Sequence, residues 1–180
     1  MLLNIIFKYI SIGGEETFLH LVYSTMMELI KEWRNLGDRK TVDPVEHLTE
    51  WIANNPGCKI YIGCDSSNLG PSTTFATVIV LHKENKGGHV IYNRTSEDRI
   101  KSRYERLWRE VELSVSAAHL LDSWGFGKPD YIDIDLNPDP RYQSNTLLSS
   151  AVGMVESMGI KPRWKSKSPW AISVADSICR

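Results

Sequence analysis

Three consecutive strand-like segments constrain the fold of this chain more than any other feature of its sequence. They read KIYIGCDS (59–66), TTFATVIVLHK (73–83) and GHVIYNRT (88–95). The first alternates apolar positions, the second is rich in β-branched residues, and Lys86-Gly87-Gly88 suits a tight turn before the third. The pattern predicts a three-stranded antiparallel meander.

The segments that follow predict a sheet of mixed direction. An amphipathic helix is expected over about Ser102 to Trp124, and YIDIDLN (131–137) has the alternation of a fourth strand. NTLLSSAVGMVESMG (145–159) predicts a helix, KPRWKSK (161–167) a short basic strand or loop, and PWAISVADSICR (169–180) a terminal helix with Ser168 as a plausible cap. The order βββαβαβα predicts an α/β fold with a mixed five-stranded sheet flanked by helices.

The part before these segments is predicted to be helical. Helical spacing of apolar residues covers 17–35, and a second helix is expected over Val45–Asn54 with Asp43 as N-cap before Pro44. We therefore expect residues 1–57 to form an N-terminal helical extension packed on a main domain at 58–180.

Composition restricts the class of protein. With 180 residues, 42% hydrophobic and 24% charged, the chain suits one soluble domain, and no apolar run of about 18 residues predicts a membrane span. The start lacks the features of a secretory leader, and three cysteines without a CxxC pair are expected to be free thiols, so we expect a cytoplasmic protein. A net charge of −1 gives no overall basic field, so any nucleic-acid binding has to be local.

Two aspartates lie near the ends of predicted strands. Asp65 follows Gly63 on one face of the first strand, and the glycine is expected to leave open space before the acid. Asp135 lies near the end of the fourth strand. If these strands are parallel neighbours, both acids reach the carboxyl edge of the sheet, where ligand sites of α/β proteins form.

Two helices supply further acids. Glu112 is the acid of the long helix that borders its apolar stripe, next to Val111, so it is expected to point toward the sheet. Asp176 lies beside a predicted buried face of the terminal helix, among small residues. Each acid alone is also explained as a turn former or a solvated helix flank, and only the joint pattern favours a site.

Four converging carboxylates favour a bound divalent cation. Uncompensated carboxylates repel one another, and a divalent ion removes that penalty. Oxygen ligands without a histidine or cysteine cluster suit one or two Mg²⁺ or Mn²⁺ ions, and a pair of such ions promotes phosphodiester hydrolysis. His119 lies on the same helix face as Glu112, but a packed or hydrogen-bonded histidine is the better explanation.

From about residue 58 onward, the chain resembles a known family. The order of Asp65, Glu112, Asp135 and Asp176 on a βββαβαβα frame resembles the ribonuclease H fold, and VELSVSAAHLLDSW (111–124) is similar to its first catalytic helix. IYIGCDSSN, YIDIDLNPDPRYQSN, GMVESMGIKP and ADSICR are similar to the YkuK-type ribonuclease H-like family of bacteria and phages. The resemblance covers about 58–180 and implies a metal-dependent nuclease-type fold with the four acids as catalytic metal ligands.

The chain departs from that family at two places. Ser166-Lys167-Ser168-Pro169 lacks the acid that members tend to carry in this segment, and Asp133 stands where they often have histidine. Asp133 is therefore expected to be a supporting partner of the site or merely hydrogen-bonded. A strand Asp-x-Glu of proofreading exonucleases is also missing, since Ser66 and Ser67 follow Asp65.

A basic segment is the candidate contact for nucleic acid. It combines cations with an aromatic ring, as in phosphate-tracking and base-stacking surfaces, and consists of Lys161, Arg163, Trp164, Lys165 and Lys167. A solvated edge strand protected by lysines explains it equally well. Further arginines between 99 and 109 are interspersed with Glu105 and Glu110 and are explained by i,i+4 ion pairs.

Three functions remain open at this stage. The first is a Mg²⁺- or Mn²⁺-dependent nuclease that hydrolyses RNA, DNA or a hybrid. The second is a catalytically inactive nucleic-acid-binding or assembly module that keeps the fold. The third is a dimeric junction resolvase, and the sequence does not specify the oligomeric state or the substrate.

Overall fold

The fold is described from a computed structural model, which covers residues 25–141, 145–164 and 170–179. Residues 25–29 are helical. The remaining elements are β1 (Trp33–Asn35), β2 (Thr41–Val42), α1 (Pro44–Asn54), β3 (Lys59–Leu69), β4 (Ser72–Lys83), β5 (Gly87–Asp98), α2 (Arg103–Ser123), β6 (Tyr131–Ile134), α3 (Asn145–Ser157), β7 (Lys161–Trp164) and α4 (Trp170–Cys179).

One seven-stranded mixed sheet organises the molecule, in the order β2-β1-β5-β4-β3-β6-β7. The predicted meander is confirmed, because β3, β4 and β5 pair antiparallel in sequence order. The segment at 161–167, predicted as a short basic strand or loop, forms β7 at Lys161–Trp164, which pairs parallel with β6. The sheet therefore contains the five predicted strands together with β1 and β2.

The two additional strands correct the prediction for the N-terminal part. The helix expected over 17–35 is observed only at 25–29 among the described residues, and Trp33 belongs to β1. β1 pairs with β5, and its Trp33 ring is fully buried in the core. Tertiary burial of the indole prevails here over helical periodicity. Residues 17–24, the rest of the predicted helix, lie outside the described part.

The helices α1 and α2 begin at capping residues, and the cap predicted for α1 is confirmed. Asp43 precedes α1 and its Oδ1 accepts a hydrogen bond from Glu46 N at 2.9 Å, with Pro44 as the first helical residue. Ser102 precedes α2 and accepts from Glu105 N at 3.3 Å. These side chains satisfy backbone donors that the first turn of a helix leaves open. Ser168, the cap predicted for α4, lies outside the described residues.

The sheet carries a core on each face. On one face, Ile62 and Cys64 of β3 pack with Val111 of α2 and with apolar residues of α3. On the other face, Tyr61 packs with Ala171 and with the rest of α4. Among the described residues, no helix is both long and apolar enough to cross a membrane. The two helices α2 and α4 thus pack against β3 from opposite faces of the sheet.

The close approach of α4 depends on a glycine. A Cβ added to Gly63 would lie 2.8 Å from the Cβ of Ala171. The prediction of open space beside Gly63 is therefore wrong, because the terminal helix fills that space. The pairing of small residues holds α4 against β3 at the level of the candidate site.

Candidate metal centre

The parallel pairing of β3 and β6 brings two aspartates to the same edge. Gly63 and Asp133 are the last pair in register between the two strands, and Asp65 and Asp135 follow two residues further along each chain. Asp135 comes directly after β6, but Asp65 lies inside β3, which continues to Leu69, so the prediction that Asp65 ends its strand is wrong. The predicted parallel neighbourhood of the two strands is confirmed. It arises because α2 crosses from β5 over the sheet and returns the chain to the free side of β3.

A third acid completes the cluster, and it comes from α2. Asp65, Glu110 and Asp135 each offer one carboxylate oxygen, and these oxygens all lie within 4.8 Å of one another. Asp65 and Asp135 are half-buried, and Glu110 is buried with an exposure of 4%. We call these three residues the acidic cluster.

Ser66 fixes two members of the acidic cluster. Its hydroxyl donates to Oε1 of Glu110 at 2.5 Å, and its backbone N–H donates to Oδ1 of Asp65 at 2.8 Å. One residue of β3 thereby orients carboxylates from both its own strand and the facing helix. Because successive side chains of a strand point to opposite faces and β3 continues past Asp65, the Ser66 side chain faces α2 and can reach Glu110.

Burial and the charges of neighbouring acids disfavour ionisation of Asp65 and Glu110. Burial, with a smaller contribution from the charges of Asp135 and Asp176, raises the pKa of Asp65 to about 6, although the hydrogen bond from Ser66 N opposes the shift. Burial also raises the pKa of Glu110 to about 8, with added repulsion from Asp65 and Asp135. The hydrogen bond from Ser66 and the charge of Arg106 oppose the Glu110 shift without cancelling it.

The donor set fits a hard divalent cation. Carboxylate oxygens within 4.8 Å of one another can be spanned by one ion with metal–oxygen distances of about 2.0–2.6 Å. The nearby Cys64 thiol does not compete as a ligand, because burial raises its pKa well above the usual value and keeps it protonated. A bound cation would also remove the repulsion that raises the two carboxyl pKa values.

Asp176 lies near the acidic cluster without belonging to it. It is a half-buried residue of α4, and its charge contributes to the raised pKa of Asp65. The same helix is tied to β3 at its end, where the Cys179 thiol donates to Asp65 O at 2.9 Å. Of the four predicted acids, the structure brings Asp65 and Asp135 together, and Asp176 lies near enough for its charge to act on Asp65. Their role as a site stays a prediction.

Glu112 does not face the sheet, which corrects the prediction for the long helix. Its carboxylate lies 3.6 Å from Nη1 of Arg109, which also donates to Thr25 Oγ1 at 2.7 Å. Residues two apart on a helix point about 200° from each other, so only one of Glu110 and Glu112 can reach the strand ends. Glu112 instead lies toward the helical segment at 25–29.

The spacing of apolar residues along α2 contains a signal that identifies Glu110. A small cleft beside the sheet is lined by α2 positions spaced i, i+3, i+4 and i+7, which are Leu107, Glu110, Val111 and Ser114. Glu110 therefore lies within the apolar stripe and not at its border. An acid inside such a stripe, followed by serine one turn later, is the available sequence indication.

Asp133 and Arg163 form a structural ion pair behind the cluster. Nε and Nη2 of Arg163 donate to the two carboxylate oxygens of Asp133 at 2.7 and 2.9 Å, and Ala171 N donates to Oδ2 at 2.7 Å. The guanidinium also lies 4.4 Å from the centre of the Tyr61 ring. Asp133 is therefore a supporting residue that anchors the first turn of α4.

This pair corrects part of the predicted nucleic-acid surface. Only 14% of the Arg163 side chain is exposed, and its donors are directed at Asp133, so it is not presented to a strand of nucleic acid. Lys161 is exposed and Trp164 is half-buried, while Lys165 and Lys167 lie outside the described residues. The expected contact of the basic segment with nucleic acid stays a prediction for the remaining members.

Comparison with known proteins adds one finding. A family model described as ribonuclease H-like matches residues 43–180, a range that includes the acidic cluster and Asp176. The match begins before residue 58, where the sequence resemblance starts, and so takes in α1. Searches of curated proteins and of solved structures gave no match.

Proposed function

Because the chain belongs to the ribonuclease H-like family, we propose that it is a divalent-metal-dependent nuclease that hydrolyses phosphodiester bonds of nucleic acid. In this proposal Asp65, Glu110 and Asp135 hold one or two Mg²⁺ or Mn²⁺ ions, and Asp176 supports them from α4. When bound, the cation supplies Lewis-acid activation of a water and neutralises charge on the leaving oxygen.

One observation carries this proposal. Three carboxylates from distant parts of the chain converge within 4.8 Å, in a partly buried place where the ionisation of Asp65 and Glu110 is disfavoured. Such an arrangement costs folding stability unless a cation compensates it. The cost is explained if the cluster exists to bind a metal.

The chain's own residues prepare the site. Ser66 holds the carboxylates of Asp65 and Glu110 in place, so that little reorganisation is needed on metal binding. The ion pair of Asp133 with Arg163 fixes the start of α4 and thereby the position of Asp176. Neutralisation of Asp133 by Arg163 also keeps a fourth uncompensated charge away from the cluster.

The test substitutes each acid of the acidic cluster and uses Glu112, on the same helix as Glu110, as the control. Purified wild type, Asp65→Asn, Glu110→Gln and Asp135→Asn are incubated with labelled single-stranded, duplex, RNA–DNA hybrid and four-way-junction substrates in Mg²⁺ or Mn²⁺. We expect wild type to cleave at least one substrate and each of the three variants to lose about 100-fold or more in rate. Glu112→Gln is the matched control and should retain at least half of the wild-type rate.

The outcomes separate the three functions. Equal loss in Glu112→Gln and Glu110→Gln, or full activity in Asp65→Asn, would contradict the assigned metal site. Binding without cleavage of any substrate would favour the inactive module. Cleavage confined to the four-way junction, by a protein that is dimeric in solution, would favour the resolvase.

A further inference from the structure

Arg106 differs from the other arginines beside the candidate site in how its guanidinium is engaged. Nη1 donates to the backbone oxygen of Ser66 at 2.8 Å and to its hydroxyl at 3.0 Å. Through Ser66, Arg106 is held next to Asp65 and one helical turn before Glu110. Its charge acts on both acids, since it lowers the pKa of each against the larger effect of burial.

Arg106 keeps donors available, in contrast to its neighbours. Arg109 bonds Glu28 and contacts Glu112, and Arg163 donates twice to Asp133. Within the part of the chain that the structure describes, Arg106 makes no salt bridge, and only its Nη1 donates hydrogen bonds. The i,i+4 ion pair with Glu110 expected from the sequence is not formed, because Ser66 lies between the two side chains. The Nε and Nη2 edge is therefore left to a further acceptor.

The position of that edge favours an anion that has to approach the acidic cluster. A phosphodiester is repelled by the carboxylates, and a fixed guanidinium beside them offsets this repulsion and offers two parallel donors to phosphate oxygens. Arg103 extends the same face, because positions 103, 106 and 110 are spaced i, i+3 and i+7. Arg103 is exposed and makes no salt bridge among the described residues.

We propose that Arg106 contacts a backbone phosphate of the nucleic-acid strand at the acidic cluster, and that Arg103 contacts the strand next to it. Arg103 and Glu110 are about 10 Å apart along the axis of α2, at 1.5 Å per residue. This inference rests on the proposed function for its choice of ligand. In this proposal the arginines that contact the phosphate backbone of the nucleic acid lie on α2, and Arg163 of β7, which is largely buried, does not take part.

The test measures the salt dependence of binding, without metal, so that it does not depend on cleavage. A fluorescein-labelled single strand and the corresponding DNA duplex are titrated with protein in EDTA at several NaCl concentrations. Loss of one phosphate contact reduces the slope of log K against log [NaCl] by about 0.7 on the single strand and about 0.9 on the duplex. We expect this reduction, with about tenfold weaker binding, for Arg106→Gln.

Three further variants keep the result interpretable. Lys86→Gln removes one exposed charge from the turn between β4 and β5 and should leave the slope unchanged. Arg103→Gln cannot disturb the Ser66 network and should also reduce the slope. Arg106→Lys keeps the charge but not the fork, so it should retain the slope and bind more weakly than wild type.

The two proposals fail in distinguishable ways. Wild type that binds with an Arg106-dependent slope but cleaves nothing would refute the nuclease and leave this inference standing. Wild type that cleaves, with unchanged slopes in Arg106→Gln and Arg103→Gln, would overturn the inference alone. Absence of binding to either probe at any salt concentration would also overturn it.

Discussion

Glu110 is the residue at which stability and proposed activity oppose each other most directly. It is almost fully buried, accepts a hydrogen bond from Ser66, and lies among other acids. Its folded pKa of about 8 exceeds the ordinary value of 4.5, so the folded state binds the proton more tightly than the unfolded state does. Stability from this group is complete below about pH 4.5 and is lost as the pH rises through 8.

The first prediction concerns the neutral isostere at this position. Glu110→Gln keeps an acceptor for Ser66 but carries no charge to bury, so in EDTA at pH 8 it should be more stable than wild type by about 1–3 kcal/mol. Near pH 4.5 the difference should almost vanish. Urea unfolding at both pH values measures it. A variant less stable than wild type at pH 8 would show that the carboxylate is compensated in the folded protein.

At the level of elements, the approach of α4 to β3 is decided by a single missing side chain. Gly63 and Ala171 meet at a distance that leaves no room for another methyl group. The same helix carries Asp176 and is anchored by Asp133 at its first turn. A small displacement of α4 therefore changes both the packing of one sheet face and the acid it contributes.

The second prediction tests this contact. Gly63→Ala should destabilise the protein by about 1–3 kcal/mol, because the added Cβ would lie 2.8 Å from that of Ala171. It should also reduce metal-dependent cleavage by displacing Asp176.

Gly153→Ala is the matched control for this substitution. Position 153 lies in α3, and an added Cβ there meets nothing within 4 Å. Alanine should therefore leave activity unchanged and raise stability by up to about 1 kcal/mol. Chemical denaturation measures the stability of each variant, and a cleavage assay measures its activity. Equal stabilities of the two variants would contradict the role assigned to Gly63.

For the whole molecule, the acidic cluster couples metal binding to folding. A cation that binds the folded chain but not the unfolded chain stabilises the fold in proportion to ln(1 + [M]/Kd). The cation competes with protons for Asp65 and Glu110, whose pKa values are about 6 and about 8. Affinity should therefore increase with pH across this interval.

The third prediction follows from this coupling. Mn²⁺ should raise the thermal midpoint of wild type by several degrees at pH 8 and by much less at pH 6. Glu110→Gln should lose most of the increase, and Glu112→Gln should keep it. Thermal unfolding with and without Mn²⁺ measures the effect. An increase of equal size at both pH values, or in both variants, would point to binding elsewhere.

The sequence by itself determined the elements from α1 onward and two of the acids, but not β1 and β2. Alternation and turn residues predicted β3 to β6, the cap at Asp43 predicted α1, amphipathic spacing predicted α2, and the pattern of the two strands singled out Asp65 and Asp135. These features are local, since they depend on backbone propensity and on which face of one element is apolar.

Only the tertiary structure decided how those elements meet. It places Glu110 and not Glu112 in the acidic cluster, and it fills the space beside Gly63 with α4. It also pairs Arg163 with Asp133 and places Trp33 in a strand instead of a helix. Each outcome depends on the rotation or distance of one element relative to another. Successive helix residues differ in direction by about 100°, and several positions border the apolar stripe of α2. The stripe therefore does not define which of these positions faces the site, and packing against the sheet selects one of them.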